Sequence, residues 1–566
     1  MKRGKRGAPL AVAVAVIAVA TATTAFAGDN DSGFQTSQAA MLTCPSCGDD
    51  VIPIITVGET MPGGYRFEAL PDGISLRARG EGRVDLFINH ETSTVAFPYV
   101  AAAPTAANSQ NDFDNSQVSL LGLNQHSKGV LFGRYAIAAG ENYQRFCSNY
   151  LATAAEGFDR EIFFTNEEAQ DWVRRSGTAW TQLITPGTAG AEQTGVVVAH
   201  DPRTGKTKTI YGMGRHNHEN DVAIPGYDDV VVLSGDDTFS TTPPSSQLYF
   251  YKAADADALW NDEGTLYAFA ADDPTKTNYF NIQAGDAPVP GHFIPVPKSI
   301  ATGKKADGTE LLSTDFPGMA APPSSIPNGP QWVLDQWGNA ANNSFGKNVF
   351  DFIRIEDTAY DKRPGKSNIV YLADSGRGTA GAANPASVST NGRIWKLELD
   401  PLDPLGEAKL SILIQGDDNP VKTVDEIHQP DNLETTAAGS LLVQEDPGSS
   451  QQFAPPFDQT GATTARIWRY DLAAGTMAPV ASVNQSADEG PTDVDPSGLS
   501  PWGAWESSGI VDASSIWGPG WFLVDIQAHT LWIEKADGPD VLAPLGPDWT
   551  FKREGGQLLA IRIPGA

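Results

Sequence analysis

Short apolar runs follow one another along almost the whole chain, and none of them is long. Examples are "VDLFINH", "GVLFGRYAI", "EIFFTNEE", "TGVVVAHD" and "DVVVLSGDD", and later "NIVYLADSG", "RIWKLEL", "SLLVQED" and "GWFLVDIQ". Each holds about four to seven Val, Ile, Leu or aromatic residues and is bounded by Gly, Pro, Asp or other turn residues, the pattern of strands joined by tight connections. Helical signals are confined to "EEAQDWVRR" and "ADADALW". Several runs pair: "TGVVVAHDPRTGKTKTIYGM" sets "DPRTGK" between two strands, and "RIWKLELDPLDPLGEAKLSILIQG" and "ARIWRYDLAAGTMAPVASV" repeat the plan. A chain this long exceeds what one compact core holds, whereas a radial repeat of four-stranded units grows to such a length, and hairpins of this kind form the outer half of a propeller blade. The expected fold is therefore all-β, a β-propeller of about six blades, with a double β-sandwich as the alternative. Insertions rich in Pro, Gly and Asn, above all residues 270–345, are expected as long loops on one face.

The chain begins with basic "MKRGKR", an apolar stretch and a small-x-small Ala25-Phe26-Ala27, which reads as a secretory signal peptide cleaved after Ala27. Without a paired Arg-Arg the expected route is general secretion, and the expected location extracellular. No other segment approaches the roughly 20 apolar residues of a membrane span. No linker is visible, so the division is a leader at 1–27, an N-terminal extension with the first strands at 28–79, and one propeller domain at 80–566. The formal charge of −30 becomes −30 − 4 = −34 once the four basic residues of the leader are removed. A polyanion repels nucleic acid and anionic membranes, so neither is expected as a partner, and a monomer is expected. The excess acid reads either as solvated surface or as carboxylates in metal sites. Of the three cysteines, Cys44 and Cys47 in "CPSC" suit a local disulfide. Cys147 is left as a reactive thiol, a metal ligand or a buried apolar residue.

Acids cluster just after apolar runs. Asn89-His90-Glu91 follows "LFI", Asn166-Glu167-Glu168 follows "IFFT", and Asn217-His218-Glu219 follows "IYGMGRH". Asp236 and Asp237 follow "VVVLSG", "FIRIED" carries Arg354, Glu356 and Asp357, "HQPDNLE" carries Asp431 and Glu434, "LLVQED" carries Glu445 and Asp446, and "WGAWESSGIVD" carries Glu506. In a propeller, the ends of inner strands and their adjoining loops meet at one mouth of the central channel. Acids in those positions converge, and converging carboxylates need cations between them. Oxygen ligands suit Ca²⁺, Fe³⁺ or Mn²⁺. The two Asn-His-Glu triplets are then expected at equivalent blade positions, each Glu facing the channel. Any one of these acids alone also reads as a turn residue or strand cap. No Gly-x-Ser-x-Gly elbow, phosphate-binding Gly-rich loop or His-Glu-x-x-His pair is present, and "GRGTAG" at Gly376–Gly381 reads as a turn.

Together, "RFCSNYLATAAEGFDREIFFTNEEA", "GRHNHEN", "VVLSGDDTFSTTPPSSQLYFYK", "FIRIEDTAYDKRPGKSNIVYLADSG" and "HQPDNLETTAAGSLLVQEDPGS" resemble the PhoX-type alkaline phosphatases, in motif order, from about residue 80 to the end. The resemblance implies a six-bladed propeller whose funnel holds Fe³⁺ and Ca²⁺ ions. It implies Cys147 as a bridge between irons, Glu168, Glu219, Glu356, Asp431, Glu445 and Asp446 as metal ligands, and Arg354 as the phosphate clamp. To these the strand-end pattern adds Glu91 and Glu506. The function so implied is metal-assisted hydrolysis of small phosphate esters. A non-enzymatic propeller stiffened by Ca²⁺ and a Ca²⁺-dependent lactonase are the rival readings.

Overall fold

The computed structural model describes residues 32–566 apart from 69, 92–115, 176–183, 185, 239–243, 325, 340–346, 377–390, 417–424, 447–463, 486–504, 530–531, 535–548 and 552–553. The expected signal peptide and most of "GRGTAG" lie outside the described residues. No described helix is long and apolar enough to cross a membrane.

Six antiparallel four-stranded meanders form the body of the protein. Blade I comprises Pro71–Gly80, Arg83–His90, Ser116–Asn124 and Val130–Ala138. Blade II comprises Phe146–Ala152, Ile162–Glu167, Val197–Asp201 and Lys206–Ile210. Blade III comprises His218–Ala223, Val230–Asp236, Leu248–Ala253 and Thr265–Ala271. Blade IV comprises Ile355–Tyr360, Ile369–Asp374, Arg393–Glu398 and Ala408–Gln415. Blade V comprises Pro430–Thr435, Ser440–Glu445, Arg466–Asp471 and Thr476–Val483. Blade VI has Trp505–Asp512, Trp521–His529 and Glu554–Arg562, and takes its outermost strand, Val51–Thr56, from the other end of the chain. The first strand of each blade touches the first strands of its two neighbours, closing a ring from I to VI and back to I. The three hairpins picked out in the sequence are the outer halves of blades II, IV and V.

Alternation along the strands explains why the ring holds together. Successive side chains point to opposite faces of a sheet, so one strand serves two interfaces. In blade III, Val230 and Val232 pack with Phe164 and Val197 of blade II. Val231 and Leu233 pack with Val370 and Leu372 of blade IV. Each of the six blade-to-blade interfaces has its own apolar cluster. A run buried on both faces reads as continuous apolar sequence, which is how "DVVVLSG" reads.

Three expectations change. Strands before residue 80 belong to the blades: Pro71–Gly80 is the inner strand of blade I, Val51–Thr56 closes blade VI, and Leu42–Thr43 extends blade V. The 270–345 segment is more than loop. Val289–Pro295 pairs with Thr265–Ala271 on one side and Ala408–Gln415 on the other, fusing the rims of blades III and IV, and helices Lys298–Thr302 and Pro330–Gly338 follow. "EEAQDWVRR" is not helical. Trp172–Val173 pairs with Glu192–Gln193, while Arg175 is drawn to Glu167 and Glu192. Cys44 and Cys47 form a disulfide packed among apolar residues of blades V and VI.

Candidate functional site

One position recurs around the ring. The second residue of the six inner strands is Asp72, Cys147, Glu219, Glu356, Asp431 and Glu506 in blades I to VI. In five blades the pairing with the next strand slips at this residue, between Pro71 and Ile74, Phe146 and Asn149, His218 and Asp221, Ile355 and Thr358, and Pro430 and Leu433. Such a bulge bends the strand and re-aims a side chain. Here it falls each time where the acid or thiol must leave the sheet. Blade VI departs from the rule: its slip comes later, between Ser508 and Ile510, around Gly509 at φ +50°, where a Cβ would strike the backbone of Asp72.

A second set comes from the returning strands. The residue just after the second strand of blades I to V is Glu91, Glu168, Asp237, Ser375 and Asp446. Inner strands leave this mouth and second strands return to it, so both sets arrive together. Donor atoms of Asp72, Glu91 and Cys147 lie within 4.8 Å of one another, as do those of Cys147, Glu168 and Glu219, and those of Asp431, Asp446 and Glu506. The Cys147 thiol donates to Asp72 Oδ2 at 2.8 Å. Arg354 donates from Nε and Nη2 to the two oxygens of Asp237 at 2.6 and 2.8 Å, and its Nη2 lies 2.7 Å from Glu356 Oε1. Ser375 Oγ donates to the same Glu356 oxygen at 2.7 Å, and Ser148 Oγ to Glu219 Oε2 at 2.9 Å.

The two Asn-His-Glu triplets both reach this mouth, but not at equivalent positions. Asn89 and His90 end a returning strand, whereas His218 and Glu219 open an inner one. Their asparagines brace neighbouring backbone. Asn89 Nδ2 donates at 2.9 Å to the carbonyls of both Cys147 and Ser148, holding the bulge of blade II, and Asn217 Nδ2 donates to the Asp237 carbonyl at 2.7 Å. Each histidine instead meets a serine, His90 with Ser119 and His218 with Ser234, both at 2.8 Å.

Glu445 is the expected ligand that faces elsewhere. It lies inside the blade, accepting from the backbone of His428 and Arg466, from the Arg466 guanidinium, and from Trp468 Nε1 at 2.7 Å. Adjacent strand residues point opposite ways, so its neighbour Asp446 is the one turned to the mouth. Glu167, before Glu168, behaves likewise, bound by Arg175 and the Gln144 amide, and Asp374 takes the same part in blade IV, accepting from Arg354 N and Trp395 Nε1. The sequence reading missed Asp72, which precedes the stretch where the motifs run. Its placement as second residue of an inner strand was the available signal. Asp357, the acid after Glu356, faces the other way and binds Asn220 and the Leu433 amide.

The electrostatics of this mouth are unfavourable as they stand. Burial, and after it the neighbouring carboxylates, push Glu168, Glu219 and Asp431 above the usual carboxylate range; burial also raises Asp72, against hydrogen bonds from Cys147 and Ser508, and Glu356, against Arg354. Burial pushes the Cys147 thiol up, with Asp72 adding to it. For Arg354 burial works against the charge, but Asp237 and Glu356 outweigh it and keep the guanidinium protonated. Glu219 Oε1 and Asp431 Oδ1 are buried and meet no hydrogen-bond partner among the described residues. Orphaned, desolvated carboxylate oxygens in groups this tight fit cation binding, and oxygen-rich donors with one sulfur suit hard cations together with iron.

Comparison with known proteins agrees with this geometry. A family model described as alkaline phosphatase PhoX matches residues 148–489, more than half of the chain. Among solved structures, Pseudomonas fluorescens PhoX in complex with vanadate, a transition-state analogue, aligns at a TM-score of 0.56 and 17% identity, covering 94% of this chain and 99% of its own. An α-L-arabinofuranosidase of Fusarium graminearum aligns at 0.37 and 10% identity, covering 91% and 98%. A protein from Dyadobacter fermentans aligns at 0.38 and 9%, covering 91% and 100%. No curated protein sequence matches. With the family model spanning blades II to V and the six-bladed ring shared with a PhoX structure along nearly its whole length, the chain belongs to the PhoX alkaline phosphatase family.

Proposed function

We propose that this protein is a secreted, metal-dependent phosphatase acting on small phosphate esters at the acidic mouth of the propeller. The observation that carries the reading is the convergence, from all six blades, of carboxylates and the Cys147 thiol beside the guanidinium of Arg354. Cys147, Asp72, Glu91, Glu168, Glu219, Glu356, Asp431, Asp446 and Glu506 would hold the cations, Ca²⁺ with Fe³⁺ on the sulfur side. Bound there, cations supply charge neutralisation for the phosphate oxygens and a nucleophilic oxygen at neutral pH. Arg354 binds the phosphate. A guanidinium is a permanently charged donor suited to an oxyanion, and the bonds of its Nε and Nη2 to Asp237 and Glu356 fix its plane before substrate arrives. Ser375 and Ser148 hold Glu356 and Glu219 in place by donating to one oxygen of each. Preorganised charge in a desolvated mouth stabilises charge developing on the transferring phosphoryl group.

The test is elemental analysis of the purified protein together with phosphate release from p-nitrophenyl phosphate, before and after chelation and on returning Ca²⁺ and Fe³⁺. Release that disappears with the metals and returns with them supports the reading. A fully metallated protein that releases no phosphate from any ester defeats it, and a panel of lactones then decides between a lactonase and a non-enzymatic propeller.

A further inference from the structure

A cavity of about 280 Å³ opens beside the acidic mouth, walled by the segment inserted between blades III and IV. Trp332, Ile326, Pro323 and Pro327 form its apolar wall, and Gln170 and Thr238 its inner edge. Those two edge residues tie it to the site. Gln170 lies two residues after Glu168, and Thr238 directly follows Asp237, the carboxylate that grips Arg354. The wall is anchored to the same place. Gln331, on the helix Pro330–Gly338, donates through Nε2 to the carbonyl of Ala169, the residue next to Glu168, and its backbone N–H donates to Gln193 Oε1 at 3.0 Å. Trp332 Nε1 donates to the Ala320 carbonyl at 2.8 Å, which pins the indole to the Pro-rich stretch. Asp335 also lines the cavity, and its Oδ1 is buried and meets no hydrogen-bond donor among the described residues.

Resting on the phosphatase reading, we propose that this cavity is the leaving-group subsite, and that the preferred substrates are phosphate monoesters of apolar, aryl-type alcohols. A phosphate held at Arg354 leaves its organic group to be accommodated next to Asp237 and Glu168, whose near neighbours in the chain, Thr238 and Gln170, line the cavity. Apolar cavities of about 150 Å³ already take a benzene ring, so this one accommodates an aryl group with substituents. Small polyol phosphates find neither the apolar wall nor enough bulk to fill it.

Two variants test the proposal in the full chain loaded with metal. Trp332→Ala removes the wall, and Ala321→Phe fills the cavity from an exposed backbone position. Both are expected to lower kcat/KM for 1-naphthyl phosphate about five- to tenfold while changing glycerol 3-phosphate less than twofold. Calorimetric titration with non-hydrolysable benzylphosphonate and methylphosphonate supplies a readout that needs no turnover. The wild type is expected to bind the benzyl compound about tenfold tighter, and Ala321→Phe to erase the preference. Equal losses for both esters, or equal binding of both phosphonates by the wild type, overturn the subsite. A benzyl preference in a protein that hydrolyses no ester upholds the subsite and overturns the phosphatase reading.

Discussion

Glu445 and Asp446 are chain neighbours with opposite duties, and the same division separates the blade interiors from the axial mouth. Inside the blades, Glu445, Asp374 and Glu167 have both oxygens met by amides, an indole or a guanidinium. At the mouth, Glu219 and Asp431 each keep a buried oxygen that meets no donor among the described residues, in a crowd of like charges. A satisfied buried carboxylate serves the fold; an unsatisfied one is costly to the fold and is retained for what it binds. The comparison teaches that an acidic pair at a strand end is a division of labour, with the first acid holding the blade and the second facing the axis.

The sharpest way to break this comparison is Glu445→Gln. Removing one partner of a buried ion pair leaves Arg466 uncompensated and is expected to lower stability by about 3–5 kcal/mol, with metal content per folded molecule unchanged. Loss of metal without loss of stability, followed by elemental analysis and thermal melts, would put Glu445 at the axis after all. Next comes Cys147→Ser, expected to keep the melting temperature of the metal-free protein, to lose iron, and to drop ester turnover by at least about a hundredfold, the upper end of the cost of losing even an outer partner of a metal ligand. Unchanged iron would make Cys147 a packing residue.

Arg354→Lys is expected to cost about ten- to a hundredfold in turnover, from a lost charge-assisted hydrogen bond of roughly 1.5–3 kcal/mol, because an ammonium cannot reproduce the fork. A fall in melting temperature with turnover intact would assign Arg354 to holding Asp237 and Glu356. The smallest effect sets the background against which acid sensitivity of the mouth is read. His200, in blade II between Phe87 and Phe163, is pushed by burial from 6.5 down to about 4. The unfolded chain therefore binds a proton below pH 6.5 that the folded chain refuses until about pH 4. Stability falls as pH drops through that window, by no more than about 1.4 kcal/mol per pH unit. His200→Gln should flatten the slope, and an unchanged slope in denaturant titrations at pH 4.5 and 6.5 would move its origin elsewhere.

The blades were legible in the sequence because their hairpins carry turn chemistry and their strands are continuous apolar runs. The convergence of Glu91, Glu219 and Glu356 was legible because acids after apolar runs sit where strands meet the axis. Which acid of a pair faces the axis was not, since that depends on strand phase at a bulge, and a one-residue slip reverses every face. The triplets misled for a related reason: identical residues at the end of one strand and the start of another look alike in one dimension. Asp72 was hidden because its neighbours "LPDGISLRARG" read as turn followed by polar strand. Val289–Pro295 was hidden because "VPGHFIP" carries proline at its second and last positions, and proline is confined to strand edges and ends.

The closure of blade VI by Val51–Thr56 has a consequence for how the molecule is made. That strand is synthesised long before Glu554–Arg562, the strand it pairs with in blade VI. Pairings across such separations are slow to form. Asp72 emerges early, and Asp431 and Glu506 only near the end, so the mouth does not exist on any unfinished chain. Any cation meets the donors of all six inner strands only once blade VI has formed, which makes the pairing of Val51–Thr56 with Glu554–Arg562 a late step that ion uptake at this mouth must follow.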